Sequence, residues 1–230
     1  MALRPAISEK HLGDDSKEVV RLATGMIVTM SGLVLGMLVS SANSYYEMQK
    51  SQVASLGSQV IVMDSLLKGY GPEAAELRTD LRSLVQASFN LTWPSEGMSM
   101  PDLRPTQRAE TLIGAIETLT PATPEQSSLK GQLVALAGEI RQNRWLMFLK
   151  SDQNTLPLPL LIVVVSWIVA TFVSFGLFAP ANVTVVATMG LSAVAVSAAI
   201  FIILELYSPF SGVLRVSSAP IRDVLNQMGH

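Results

Sequence analysis

The chain has 230 residues, 49% of them hydrophobic and only 15% charged, against ~25% charged in an ordinary soluble domain. Its net charge of −2 leaves no basic footprint for nucleic acid. It contains no cysteine, which excludes disulfides, thiolate metal sites and cysteine nucleophiles.

The first 21 residues form a polar tail that carries Arg4, Lys10, Lys17 and Arg21, with His11 among them. A charge-free run from Leu22 to Tyr46 follows, and residues 22–43 are predicted to form a first transmembrane helix. Its length suits a retained span better than a signal peptide, and no small-residue cleavage signature follows it. Gly32 and Gly36 stand four apart in this span, a spacing that lets another helix approach closely. Such faces pack a chain's own helices more often than those of a second copy.

Residues 44–156 have a different composition, with ten Lys/Arg and twelve Asp/Glu, and read as helices throughout. Val53, Leu56, Val60, Met63 and Leu67 recur at spacings of three and four, a stripe that continues the first span as one helix. Gly71-Pro72 ends it, and Pro72 opens a second helix with Leu77, Leu81, Leu84 and Ser88 on one face. A loop from Thr92 through Trp93, Pro94 and Gly97, with prolines at 101 and 105, leads to a short helix over about 106–119. Thr123-Pro124-Glu125-Gln126 has the pattern of a capped helix start, with proline in the first turn. The helix it begins carries Leu129, Leu133, Leu136, Ile140, Asn143 and Met147 as its stripe. No stripe is wide enough to be stable alone, so an antiparallel four-helix bundle is predicted.

Gln153 to Leu204 is a run of 52 residues without a charge. A helix of that length would reach about twice the ~30 Å hydrocarbon thickness. Ala179-Pro180-Ala181-Asn182 offers a turn, so two spans are predicted, residues 158–178 and 183–206. Pro157 and Pro159 allow a change of direction on entry. Ala193 with Ser197, and Ala195 with Ala199, give the third span small-residue faces like that of Gly32 and Gly36. Ser166, Thr171 and Ser174 either line a polar path or bond back to their own helix.

The remaining tail, 207–230, begins Tyr207-Ser208-Pro209-Phe210-Ser211-Gly212, where proline stops the helix and glycine permits a turn. Val213, Leu214, Val216, Ile221, Val224 and Leu225, with Arg215 and Arg222, make it amphipathic. Two placements are open: along the membrane interface or a pore mouth, or docked on the bundle. Glu205 stands at the end of the third span, and a carboxylate there is a candidate for handling ions or protons. Otherwise it pairs with Arg215 or caps the following turn. Asp64, Glu139, Arg141 and Arg144 in the bundle read as a ligand cluster or, more simply, as solvated charge pairs.

Several stretches resemble the bestrophin-like integral membrane proteins of bacteria and plants, a family without an assigned activity. They are Trp167-Ile168 and Phe175 through Asn182; Ile203-Leu204-Glu205 through Gly212; and Arg215-Val216-Ser217-Ser218-Ala219-Pro220. Leu35-Gly36 through Ala42, and Thr123 through Gln126 leading to Arg144-Trp145-Leu146, resemble its other recurring stretches. Glutamate at a span end followed by Pro-Phe-x-Gly is the most specific part of the match. Many members of that family carry an additional N-terminal span and a basic residue near the position of Pro180, and this chain shows neither. The family label implies an ion channel, and an anion channel in particular.

The expectation is an all-α membrane protein, with three transmembrane helices and an extramembrane antiparallel four-helix bundle inserted between the first and second. Four basic residues in the first tail against two in the last place the bundle on the extracytoplasmic side of the cell membrane. The leading function is an oligomeric ion channel in which copies of Glu205, Tyr207, Ser208, Pro209, Phe210, Gly212 and Arg215 gather near a pore mouth. A carboxylate ring favours cations. The partners implied are the lipid bilayer, further copies of the chain and an inorganic ion, with no nucleic acid. The rival function is a membrane-anchored sensor or scaffold whose bundle binds a ligand or a partner protein. No nucleophile elbow, phosphate loop, dinucleotide fingerprint or paired zinc ligands occurs, so neither an enzyme nor a cofactor is expected. His11 and His230 are both in tails and join no metal set.

Overall fold

The computed structural model describes residues 14–93, 107–153, 157–178 and 182–228, and every element in them is helical. Helix α1 is Asp14–Tyr70, followed by a 3-10 turn at Pro72–Ala74 and by α2, Ala75–Thr92. Then come α3 (Gln107–Thr118), α4 (Pro124–Gln153), α5 (Leu158–Phe178), α6 (Val183–Leu206) and α7 (Ala219–Gln227). The chain divides into two compact units: Met1–Ser44 with Thr155–Tyr207, and Tyr45–Asn154 with Ser208–His230. The boundary between Ser44 and Tyr45 falls inside α1, whose 57 residues carry no proline and run unbroken through it.

The first unit is apolar. Three helices are long and apolar enough to cross a membrane, in the stretches Glu18–Tyr70, Leu158–Leu177 and Val183–Leu206. Its interior is small and holds Leu38, Ala42, Val164, Ile203 and Leu206. Helix α5 starts where Leu161 N–H donates to Pro157 C=O at 3.0 Å. Pro159 lies in that first turn, where a missing N–H leaves no bond unmade. Helix α6 is capped by Asn182, whose Oδ1 accepts the Val185 N–H at 2.8 Å. The turn expected at Pro180 lies outside the described residues.

The second unit has a core drawn from five helices. Met63, Leu67 and Tyr70 of α1 meet Leu77, Leu81 and Val85 of α2, Leu112 and Ile116 of α3, Leu133 and Ala137 of α4, and Val224 of α7. Met63, Leu67, Leu77, Leu81 and Leu133 come from the predicted stripes; Tyr70, Val85, Ala137 and the α3 residues add to them, and the tail is docked through α7. Val224 is 1% exposed. It packs beside Gly57, where a Cβ would lie in ordinary van der Waals contact, 3.5 Å from both Ile221 Cδ1 and Val224 Cγ2. Each large side chain removed from water contributes about 1.5–3 kcal/mol, and that burial holds α7 on the other four helices.

Polar contacts set the helix order. Gln126 Nε2 donates to Tyr70 C=O at 2.9 Å, and Asn143 Nδ2 donates to Gln59 Oε1 at 3.1 Å, so α1 and α4 run in opposite directions. At the start of α4 the Gln126 N–H donates to Thr123 Oγ1 at 3.2 Å, while Gln126 Oε1 accepts the Ala122 N–H at 2.8 Å. The predicted cap is therefore present, one residue wider than the ideal box. Lys130 Nζ donates to Leu119 C=O at 2.8 Å and ties α4 to the end of α3. Asp64 pairs with Arg78 through two bonds, Nε to Oδ1 at 2.8 Å and Nη2 to Oδ2 at 3.0 Å. The side chains are 29% (Arg78) and 15% (Asp64) exposed. The hydrogen bond to Asp64 raises the Arg78 guanidinium above its ordinary value, against a lowering by burial. Stability from that shift is complete below the unfolded value and is lost only as pH rises through the raised one. The arginine side of this pair is therefore flat across the working pH range.

Two predictions follow from this packing. Arg78→Met strands a mostly buried carboxylate and should cost about 2 kcal/mol. The measurement is the thermal midpoint in lipid nanodiscs, where the Asp64→Leu/Arg78→Met double variant should recover most of the loss. Gly71 has φ 120°, and a Cβ there would meet Glu73 Oε2 at 2.8 Å. Gly71→Ala should destabilise by about 1–3 kcal/mol, whereas Gly69→Ala, in the last turns of α1, should stabilise by about 0.5–1 kcal/mol.

Candidate functional site

The residues singled out around Glu205 divide between the two units, and each group is held by its own local chemistry. In the apolar unit, Ile203 and Leu206 turn inward from α6. Glu205 lies off that packed face and is partly exposed. It sits at a helix C-terminus, the negative pole of the helix dipole, on the border of an apolar span. The Tyr207 hydroxyl lies 3.3 Å from Ser41 Oγ and links the end of α6 to α1.

In the second unit the Pro-Phe turn is a packing element. Pro209 C=O accepts the Val216 N–H at 2.7 Å, and the Ser211 N–H donates to Ser208 C=O at 3.1 Å. Gly212, at φ 82°, takes the left-handed turn that a side chain would resist. Phe210 is 6% exposed and stands edge-on to Trp93, with ring centroids 5.9 Å apart. Trp93 Nε1 donates to Val216 C=O at 3.0 Å, and Tyr46 Oη donates to Arg215 C=O at 3.4 Å. The Arg215 side chain turns back on its own loop, Nε donating to Gly212 C=O at 2.8 Å. Phe210 and Pro209 are thus core groups, and of this set Ser208, Gly212 and Arg215 are the exposed ones. Trp93, read from sequence only as part of a loop, is the clamp on this turn; nothing in its local sequence names Phe210 as its partner.

Between α1, α5 and α6 the apolar unit contains a cavity of about 500 Å³. Ser31, Thr171, Thr188 and Ser192 are the hydroxyls in its wall. Each donates its hydrogen to a carbonyl of its own helix: Ser31 to Ile27 at 2.7 Å, Thr171 to Trp167 at 2.9 Å, Thr188 to Thr184 at 3.1 Å, Ser192 to Thr188 at 2.9 Å. With their donors used, these oxygens offer the cavity acceptors alone. Ser166 bonds back to Val163 C=O at 2.7 Å in the same way.

Of the small-residue faces, Gly32 borders the cavity between α1, α5 and α6. Gly32, Gly36, Ala193 and Ser197 are all exposed, and a Cβ at Gly32 or Gly36 would find nothing within 4 Å. The fully packed positions of the spans are the larger residues Leu38, Val164 and Ile203.

Each of the four charged residues singled out in the second unit has a partner, charged or neutral. Besides Asp64 with Arg78, Arg141 reaches Glu110 at 3.7 Å, Gln59 Nε2 donates to Glu139 Oε2 at 3.5 Å, and Arg144 Nη1 donates to Ser88 Oγ at 3.2 Å. Among the described residues no three His, Asp or Glu side chains are grouped to hold a metal ion. His11 and His230 lie outside the described residues.

Comparison with curated proteins and with solved structures gives no match. Comparison with protein families does: the Bestrophin-like domain matches residues 1–221, which takes in α1 through α6, the Pro-Phe turn and the first residues of α7. With three helices apolar enough to cross a bilayer, the chain is a multi-pass membrane protein, and it belongs to the Bestrophin-like family.

Proposed function

We propose that the protein is an ion-conducting membrane protein that works as an oligomer, with Glu205 near the mouth of the conducting path. The observation that carries this reading is how little of each span is covered by its own chain. Only 6% of the apolar window is buried in α5 and in α6, and 17% in α1. Lipid alone can cover large apolar side chains. The open glycine at Gly36 suits the close approach of another helix better. One copy has too few spans to enclose a path, and a ring of copies supplies them.

A cation suits the available chemistry better than an anion. A ring of carboxylates concentrates cations, and the hydroxyls of the intramembrane cavity offer lone pairs without hydrogens. This preference runs against the anion conduction that the family label implies, so the two are separable by experiment.

The test is flux through purified protein in liposomes, with cation and anion gradients applied separately. Cation flux should appear, and Glu205→Gln should lower it roughly three- to tenfold while cross-linked oligomer size stays unchanged. Absence of flux from folded, inserted protein, or anion flux indifferent to the substitution, would overturn the proposal.

A further inference from the structure

We infer that the second unit holds a binding site for an uncharged, apolar molecule of about the size of one aromatic ring. Such a site goes beyond ion conduction and does not depend on it.

All five helices of that unit line a cavity of about 130 Å³. Val60 of α1, Leu84 of α2, Ile113 of α3, Ile140 of α4 and Ile221 of α7 contribute its apolar walls. An engineered apolar cavity of ~150 Å³ in another protein stays dry and takes up benzene or xenon. The space here therefore fits one ring, and it is well below the ~300 Å³ at which sites for drug-sized ligands begin. A full-length lipid is excluded on size.

The polar groups of the lining are gathered at one end. Among its described residues only Ser88, Thr92 and Arg144 are polar. Leu84, Ser88 and Thr92 follow one another at intervals of four on α2, so the two hydroxyls lie towards the C-terminal end of that helix. Arg144 joins them from α4, its Nη1 donating to Ser88 Oγ at 3.2 Å. The opposite end is walled by Met63, Leu81, Ile116 and Ala137, all buried. A water molecule there would find none of the two to four polar partners it needs, so that end stays dry. Those walls have unused dispersion contacts, which a hydrocarbon guest can make. An ionised or strongly polar guest would shed its hydration against them without compensation. Trp93 and Ile221 line the cavity and also pack on the small cluster that holds Phe210. A guest therefore touches both the bundle and the docked C-terminal segment, and α7 should open less readily when the site is filled.

The test uses the full chain in lipid nanodiscs, with empty nanodiscs as the partition control. The probes are fluorobenzene and 4-fluorobenzoate, followed by fluorine NMR, with amide exchange in α7 read on the same samples. Fluorobenzene should bind the wild type saturably, and 4-fluorobenzoate at least about tenfold more weakly. Fluorobenzene at about ten times its Kd should slow exchange in α7 about tenfold, the factor by which occupancy opposes an opening that empties the site. Leu84→Phe and Ile140→Phe fill the space from two different helices and should each abolish both effects, with helix content and thermal midpoint reporting on folding. Folded wild type that takes up no more fluorobenzene than empty nanodiscs would overturn the inference. So would uptake that survives both filled variants, or 4-fluorobenzoate binding as tightly as fluorobenzene. Should neither filled variant fold, unchanged α7 exchange in the saturated wild type overturns the site and slowed exchange upholds it. Flux measured on the same preparation separates the two proposals: binding without flux removes conduction alone, and flux without binding removes this site alone.

Discussion

One unbroken helix carries the whole organisation of this chain. Helix α1 has to satisfy two solvents along a single axis, and it does so by changing its surface chemistry near Tyr46 without interrupting its hydrogen bonds. From Leu22 to that point it has no charges and can meet hydrocarbon. Beyond it Val53, Met63 and Leu67 form a narrow stripe, and the other faces are polar. Because backbone groups are satisfied within the helix, crossing from one environment to the other leaves no peptide group unpaired. A break near Tyr46 would leave such groups at the least forgiving place. The first glycine to end the helix, Gly71, comes only after the stripe is complete.

The second unit depends on that stripe. Helices α2, α3, α4 and α7 each offer a partial apolar face, and none would be stable alone in water. Their common core includes Leu67, Tyr70, Ile116, Leu133 and Val224, all 2% exposed or less. Polar groups then select the arrangement: the Asp64–Arg78 fork joins α1 to α2, and Gln126 closes the end of α1 against the start of α4. The C-terminal segment joins this core through Val224 of α7, and a separate small cluster of Val53, Phe210 and Val216 with Trp93 holds the Pro-Phe turn. The motif that most resembles a family signature therefore contributes buried anchors as well as exposed groups.

The apolar unit follows the opposite logic. Its helices are hydrophobic around most of their circumference, so burial of apolar area gives no reason for one orientation over another. Interhelical contacts such as that between Ser41 and Tyr207 do the selecting instead, and they leave Gly36, Ala193 and Ser197 exposed. That difference is why the proposed oligomer would draw on this unit. The second unit has built a core of its own.

The membrane class, the three spans and the start and stop of most helices were legible in the sequence, because they depend on local properties. Charge-free length, a 3.6-residue stripe, proline in a first turn and Asn182 or Thr123 at a cap act over a few residues. Membership of the Bestrophin-like family was legible for the same reason, from contiguous motifs around Glu205 and Pro209. The tertiary structure alone decided which partners those elements take. Nothing local to Phe210 points to Trp93, and nothing local to Gly57 points to Val224, more than 100 positions along the chain. Likewise Asp64 and Arg144 read from sequence as loose members of one charge cluster. In the fold Asp64 locks α1 to α2, while Arg144 lines a cavity shared by five helices. Pairing between distant positions depends on shape and on the order in which faces are covered, and a single sequence records neither directly.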